Sequence, residues 1–171
     1  FLAENPDDPA IKKQLAVLHR YAANVARLLG DYAEAESAYK ASIAIWEDLS
    51  SQDPDDASHR DNLALTLGDS ATVQKRGGRL KAAADTLDRA AALAEEIKQR
   101  VPLSFYQRTL AKTLIDRADV EYRLGNFATA KDAASRAVEL SKALKEAPSE
   151  EARAIDPLLV VMSLQGRATA L

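Results

Sequence analysis

Three glycine-centred turns recur along the chain at an almost constant interval. Gly78 follows Gly30 by 48 residues, and Gly125 follows Gly78 by 47 residues. Many surrounding positions match in the same register, which chance does not supply so often. The matched sets are Leu15, Leu63 and Leu110; Ala23, Ala71 and Ala118; Val25, Val73 and Val120; and Ala35, Ala83 and Ala130. Self-similarity at this period predicts a stack of like units.

Each unit contains two segments in which apolar residues recur every three or four positions, the spacing of an amphipathic helix. No stretch alternates with period two, so we expect no sheet. One hairpin cannot bury its apolar face alone, and stacking is expected to bury it, with Trp46 in the core. In the first unit the two stripes are Leu15, Leu18, Ala22, Val25 and Leu29, then Tyr32, Ala35, Tyr39, Ile43, Trp46 and Leu49. The predicted helices span about residues 9–29, 33–51, 57–76, 80–100, 104–124, 127–146 and 157–171.

The predicted fold is all-α, a right-handed α-solenoid of antiparallel helical hairpins with about three and a half repeats. The chain, residues 1–171, is interpreted as one array. Phe1 aligns with Leu49, so residues 1–5 are interpreted as the end of a preceding second helix, and the chain as a piece of a longer array. Complete repeats are expected at about 9–53, 57–101 and 104–147, with partial repeats at 1–5 and 157–171.

Composition narrows the classes of function. The net charge of −3 and the pI of about 5.5 do not favour a nucleic-acid partner, because binding phosphates requires a basic excess. The absence of cysteine excludes a disulfide framework and any thiolate metal site. No apolar run approaches 18 residues and the N-terminus is not a signal peptide, so we expect no membrane insertion and a cytoplasmic location.

Residues that could carry chemistry are sparse. His19 and His59 occupy non-equivalent repeat positions, and each is interpreted as an ordinary surface or boundary histidine. Acidic pairs such as Asp55 with Asp56 fall at helix starts, where carboxylates favour the helix dipole. We therefore expect no catalytic residue, no metal site and no cofactor, and an enzyme is the least favoured class.

The glycine turns also carry a family resemblance. Gly30-Asp31-Tyr32-Ala33-Glu34-Ala35 precedes Tyr39, and Gly125-Asn126-Phe127-Ala128-Thr129-Ala130 precedes Ala134 and Ala137. This pattern resembles the core of the tetratricopeptide repeat over about residues 9–146, with a looser copy at Gly78–Ala83. The family's usual repeat is about 34 residues. With its period of 47–48 residues, the chain looks like the long-helix repeat tails of large bacterial multidomain proteins.

The resemblance implies a binding role, because inward-facing positions of the first helices contact ligands in that family. Aligned on the glycine turns, these positions are Arg20, Asn24 and Arg27, then Thr72, Lys75 and Arg76, then Asp119, Tyr122 and Arg123. Five of the nine are basic, so the partner could be acidic; alternatively, the cations only suit helix surfaces and helix C-termini. The predicted function is a non-catalytic protein–protein interaction scaffold that binds a peptide or a partner helix on its concave face. The alternative is a self-association module of a larger multidomain protein, forming a homo-oligomer.

Overall fold

The computed structural model describes residues 7–101 and 104–146 of the 171-residue chain. These residues form six α-helices and no strand, so the all-α prediction is confirmed, and the six predicted spans agree with the helices to within one residue. The helices are α1 (Pro9–Leu29), α2 (Tyr32–Gln52), α3 (Ala57–Arg76), α4 (Leu80–Arg100), α5 (Ser104–Arg123) and α6 (Phe127–Glu146). The predicted seventh helix at 157–171 and the partial repeat at 1–5 lie outside the described residues.

Aspartates set the starts of the first helices in the first two hairpins. The Asp8 carboxylate accepts a hydrogen bond from the amide of Ala10 at 2.8 Å, and Pro9 follows it in the first turn of α1. Asp56 accepts from the amide of Ser58 at 2.8 Å and caps α3 in the same way. Each carboxylate satisfies an amide that has no partner within its helix, which fixes where the helix begins.

The three glycine turns share one backbone geometry. Gly30, Gly78 and Gly125 have φ angles of 84°, 76° and 81°, a left-handed conformation that glycine adopts at little cost. In every turn, the amide after the glycine donates to the carbonyl five residues earlier. These bonds are Asp31 to Ala26, Arg79 to Gln74 and Asn126 to Glu121, each 2.9 Å long. The sequence repeat therefore becomes a structural repeat of the corner that reverses the chain.

Consecutive helices pack against each other, and α3 also contacts both α1 and α5. The α2–α3 junction holds Trp46, which is 3% exposed and packs with Leu49 and Leu63, so its predicted core position is confirmed. Within the first hairpin, α1 meets α2 through small residues such as Ala23 and Ala35, both fully buried. Small side chains let the helix axes approach closely.

The apolar stripe predicted for α1 is not buried, so that expectation is wrong. Leu18, Val25 and Leu29 are 63%, 56% and 80% exposed, whereas Ala16 and Ala23 provide the buried side of the helix. The reason is that α2 packs on the alanine side of α1. The larger residues point the other way, where none of the described helices covers them.

Candidate interaction surface

The first helices of the three hairpins, α1, α3 and α5, are joined by ion pairs. Asp69 of α3 accepts from Arg20 of α1 at 2.9 Å and from Lys112 of α5 at 3.2 Å. Lys75 of α3 donates to Asp119 of α5 at 2.8 Å. These contacts connect the three helices side by side into one continuous face, the first-helix wall.

The charges at the centre of the wall stabilise one another. Burial raises the pKa of Asp69, but the charges of Lys112 and Arg20 outweigh it and hold the pKa below its ordinary value. Burial lowers the pKa of Lys112, yet the carboxylates of Asp116 and Asp69 bring it above its ordinary value. Asp69 and Lys112 therefore stay ionised at neutral pH, and each compensates the other's loss of solvation.

Asp69 and Lys112 were not among the nine first-helix residues predicted to contact a partner. Their separation of 43 residues, about one helical turn less than the repeat, is the signal that could have found them. When two first helices lie side by side, a residue of one helix contacts a residue of the next that is about one turn away from its own repeat equivalent. Opposite charges at that spacing are therefore candidates for ion pairs between hairpins.

Hydrogen bonds or ion pairs within the protein are formed by seven of the nine first-helix residues predicted to contact a partner: Arg20, Asn24, Arg27, Thr72, Lys75, Asp119 and Arg123. Arg20 and Lys75 form the ion pairs of the wall, and their side chains are only 27% and 16% exposed. Asn24 accepts a hydrogen bond from the Tyr39 hydroxyl at 2.9 Å. The Thr72 hydroxyl donates to a backbone carbonyl one turn earlier, at 3.3 Å. Arg20 and Lys75 thereby join the first helices, and these four side chains offer few free groups to a ligand.

Three of the nine predicted residues are more accessible. Arg76 is exposed and forms no ion pair with any side chain in the described ranges. Arg123 donates to Asp119 at 3.0 Å, but its side chain is still 53% exposed. Tyr122 is 44% exposed and packs edge-on against Phe127, with 5.5 Å between the ring centroids. Each lies near the glycine turn of its hairpin.

Several of these groups occupy equivalent positions at the glycine-turn end of the wall. Arg76 and Arg123 correspond to each other in α3 and α5, and the residue at that position in α1 is Leu28, which is 75% exposed. Arg27, next to it, is half-buried and donates to Asn24 at 3.4 Å. The exposed side chains here combine apolar and cationic character. We call them the turn-end row: Leu28, Arg76, Tyr122 and Arg123.

His59 is buried, so its predicted surface or boundary position is wrong. It is 3% exposed, near the start of α3. Its ring centroid lies 6.1 Å from that of Trp46, and its Nε2 lies 3.2 Å from a carboxylate oxygen of Asp56. The cap at Asp56 and the adjoining end of α2 enclose the imidazole, an arrangement that needs the packing of two helices and leaves no periodic signal.

A buried carboxyl, that of Asp61, lies two residues after His59 in α3. Asp61 is 1% exposed, and its Oδ1 has no hydrogen-bond partner among the described atoms. Burial raises the pKa of Asp61 to about 6, against the opposing effects of a hydrogen bond with Thr109 and the charge of Arg20. The carboxyl therefore titrates near neutrality within the junction between α3 and α5.

No cluster of three or more His, Cys, Asp or Glu within residues 7–101 and 104–146 is placed to hold a metal ion. None of the helices described here is long and apolar enough to span a membrane. No protein-family model matches the chain, and no curated protein sequence matches it.

Proposed function

We propose that this chain is a non-catalytic interaction scaffold that binds a peptide or a partner helix along the first-helix wall. The observation that supports the proposal is the side-by-side attachment of α1, α3 and α5 through Arg20, Asp69 and Lys112. A surface held together before binding loses little conformational freedom when a ligand arrives. Extended peptides and amphipathic helices are the partners that suit such a surface.

We propose further that the hairpins stack as a right-handed solenoid of the tetratricopeptide type. In support, the three glycine turns are alike, and five ion pairs between successive hairpins join residues 42–44 positions apart, whereas Arg20–Asp69 joins residues 49 apart. The pairs Lys13–Asp56, Glu36–Arg79 and Asp69–Lys112 span 43 residues, Glu47–Arg89 spans 42, and Lys75–Asp119 spans 44. The same offset among first helices and among second helices supports a common displacement from each hairpin to the next.

The turn-end row supports a partner with both apolar and acidic side chains. At this end of the wall, Lys75 and Arg123 both pair with the carboxylate of Asp119, and Arg76 pairs with no carboxylate of the described residues. Tyr122 adds an exposed aromatic ring. A carboxylate of the partner would find unmatched positive charge here, whereas Asp69 already compensates the cations lower on the wall.

The experiment is a peptide-library selection against the chain, followed by fluorescence anisotropy with the selected peptides. Arg76→Glu is expected to weaken binding by about fivefold or more, because it reverses an exposed charge of the row. Tyr122→Ala should weaken it by a similar factor through lost aromatic contact. Lys81→Glu on α4 is the matched control, since Lys81 is 87% exposed on a second helix and should not affect affinity.

Two results would reject the scaffold proposal in this form. One is that no selected peptide binds saturably. The other is that Arg76→Glu and Tyr122→Ala bind as the unaltered chain does. The self-association alternative makes a different prediction: the sedimentation coefficient of the chain alone would rise with concentration, and charge reversal at Arg76 would leave that rise intact.

A further inference from the structure

The outward face of α1 is a second surface, apart from the turn-end row. It consists of Leu15, Leu18, Val25 and Leu29, whose exposed fractions are 37%, 63%, 56% and 80%. Successive members lie three, seven and four residues apart, so they form one stripe along the helix. Contiguous apolar surface of this kind is uncommon on a protein unless something binds to it.

The same positions of α3 are buried. Forty-eight residues later stand Leu63, Thr66 and Val73, which are 4%, 0% and 0% exposed. The helix that covers them is α2: Leu63 packs in a cluster with Trp46, and Val73 packs in a cluster with Tyr39. Because the later residue of α2 meets the earlier residue of α3, the two helices run antiparallel.

The third hairpin repeats this arrangement. Leu110, Thr113 and Val120 of α5 are 1%, 3% and 1% exposed. The preceding second helix, α4, covers them, since Leu110 packs in a cluster with Ala94 and Val120 in a cluster with Leu87. The stripe of a first helix is thus the docking surface for a preceding second helix in both cases where the structure shows such a helix.

In α1 the stripe is more apolar than its counterparts. Leu18 stands where α3 and α5 have Thr66 and Thr113, whose hydroxyls donate to carbonyls of their own helices at 2.7 Å and 2.8 Å. A helix that packs on this face should therefore be apolar along its contact with Leu18.

We propose that the outward face of α1 binds a partner helix that lies antiparallel to α1 and carries the apolar pattern shared by α2 and α4. This pattern places buried residues at matching positions of the two helices. They are Ala35 and Ala83, Tyr39 and Leu87, Ser42 and Ala90, Trp46 and Ala94, and Leu49 and Ile97. The site differs from the turn-end row and takes a helix by its apolar stripe.

The test uses a fluorescent peptide with the sequence of residues 32–52, which is that of α2, titrated with the full chain. Saturable binding is expected. Leu18→Glu and Val25→Glu should each weaken it by about tenfold or more, since each puts a charge into the apolar contact. The matched control is Lys81→Glu, because Lys81 is 87% exposed on α4, which does not pack against α1. Its affinity should stay within about twofold of the unaltered chain.

Leu18 and Val25 are exposed, so neither substitution should unfold the chain, and unchanged circular dichroism would verify this. Absence of saturable binding, or equal affinity with Leu18→Glu, would overturn the proposal. If sedimentation shows that the chain forms dimers and that Leu18→Glu dissociates them, the proposal is overturned in favour of a second copy of the chain on this face. A photocrosslinking residue at position 18 that reacts with residues 147–171 of the same chain would overturn it in favour of that segment. Arg76→Glu should leave peptide binding unchanged, which separates this site from the proposed scaffold function.

Discussion

The substitution Asp61→Asn should stabilise the protein in a pH-dependent way. Folding buries Asp61 and raises its pKa from 3.8 to about 6, so the folded state favours the protonated carboxyl. The sign follows from linkage: a raised pKa contributes stability that is complete below pH 3.8 and is lost as the pH rises through about 6. At about 1.4 kcal/mol for each pKa unit, ionised Asp61 costs up to about 3 kcal/mol of unfolding free energy near pH 8.

Asparagine removes this cost because it has almost the same shape and does not ionise. It also retains an oxygen and an amide group with which Thr109 can form a hydrogen bond. We therefore expect the unfolding free energy of Asp61→Asn to exceed that of the parent by about 1–3 kcal/mol near pH 8, and by about a third as much near pH 4.5. Other groups with shifted pKa values, such as Asp69 and Asp119, are present in both proteins, so their contributions largely cancel in the difference.

The assay is urea unfolding followed by far-UV circular dichroism, at several pH values and one ionic strength. Asp85→Asn serves as the control, because the Asp85 side chain is 67% exposed on α4 and its replacement should change little at any pH. A difference between Asp61→Asn and the parent that does not grow between about pH 4.5 and about pH 8 would refute the reasoning. So would a variant that is less stable than the parent near pH 8.

Two further substitutions test the turns and the wall by the same unfolding assay. Gly30→Ala should destabilise the chain by about 1–2 kcal/mol, because φ is 84° at this position. Gly68→Ala should instead stabilise it by about 0.5–1 kcal/mol, because Gly68 lies inside α3 and the added Cβ would be 3.8 Å from Nζ of Lys112, an ordinary contact. Equal effects of the two substitutions would contradict this account. Asp69→Asn should cost about 1–3 kcal/mol near neutral pH, since it leaves Arg20 and Lys112 without their shared carboxylate. This loss should shrink as the pH falls through the lowered pKa of Asp69, and a loss that does not depend on pH would argue against an electrostatic role.

The helices and turns could be predicted from the sequence because their causes are local. Asp8 and Asp56 cap helices through neighbouring amides, and Gly30 or Gly125 takes a left-handed conformation because of its own lack of a side chain. Apolar periodicity then identified the helices between them. None of these features depends on which helices meet in space.

Burial and pairing were harder to predict because they depend on neighbours. The stripe through Leu18 and Val25 has the same periodicity as a buried one, yet it is exposed because the described helices pack on the alanine side of α1. Likewise, nothing local marks Asp61 as buried, since it sits in a polar stretch of α3 and loses solvent only when α5 packs nearby. Which cations of the first helices are already paired could not be predicted either, because the pairing depends on a carboxylate of the adjacent helix, such as Asp69 for Arg20.

The positions of the carboxylates determine which part of the first-helix wall carries unpaired charge. At its centre, Asp69 satisfies two cations at once, so a ligand there would have to replace good internal contacts and leave a half-buried charge unpaired. At the turn end, Lys75 and Arg123 share Asp119, and Arg76 is left without an ion pair among the described residues. A partner carboxylate binding there would add an ion pair without breaking one. If the wall binds a partner as proposed, the network that joins α1, α3 and α5 would direct an acidic ligand towards the glycine turns.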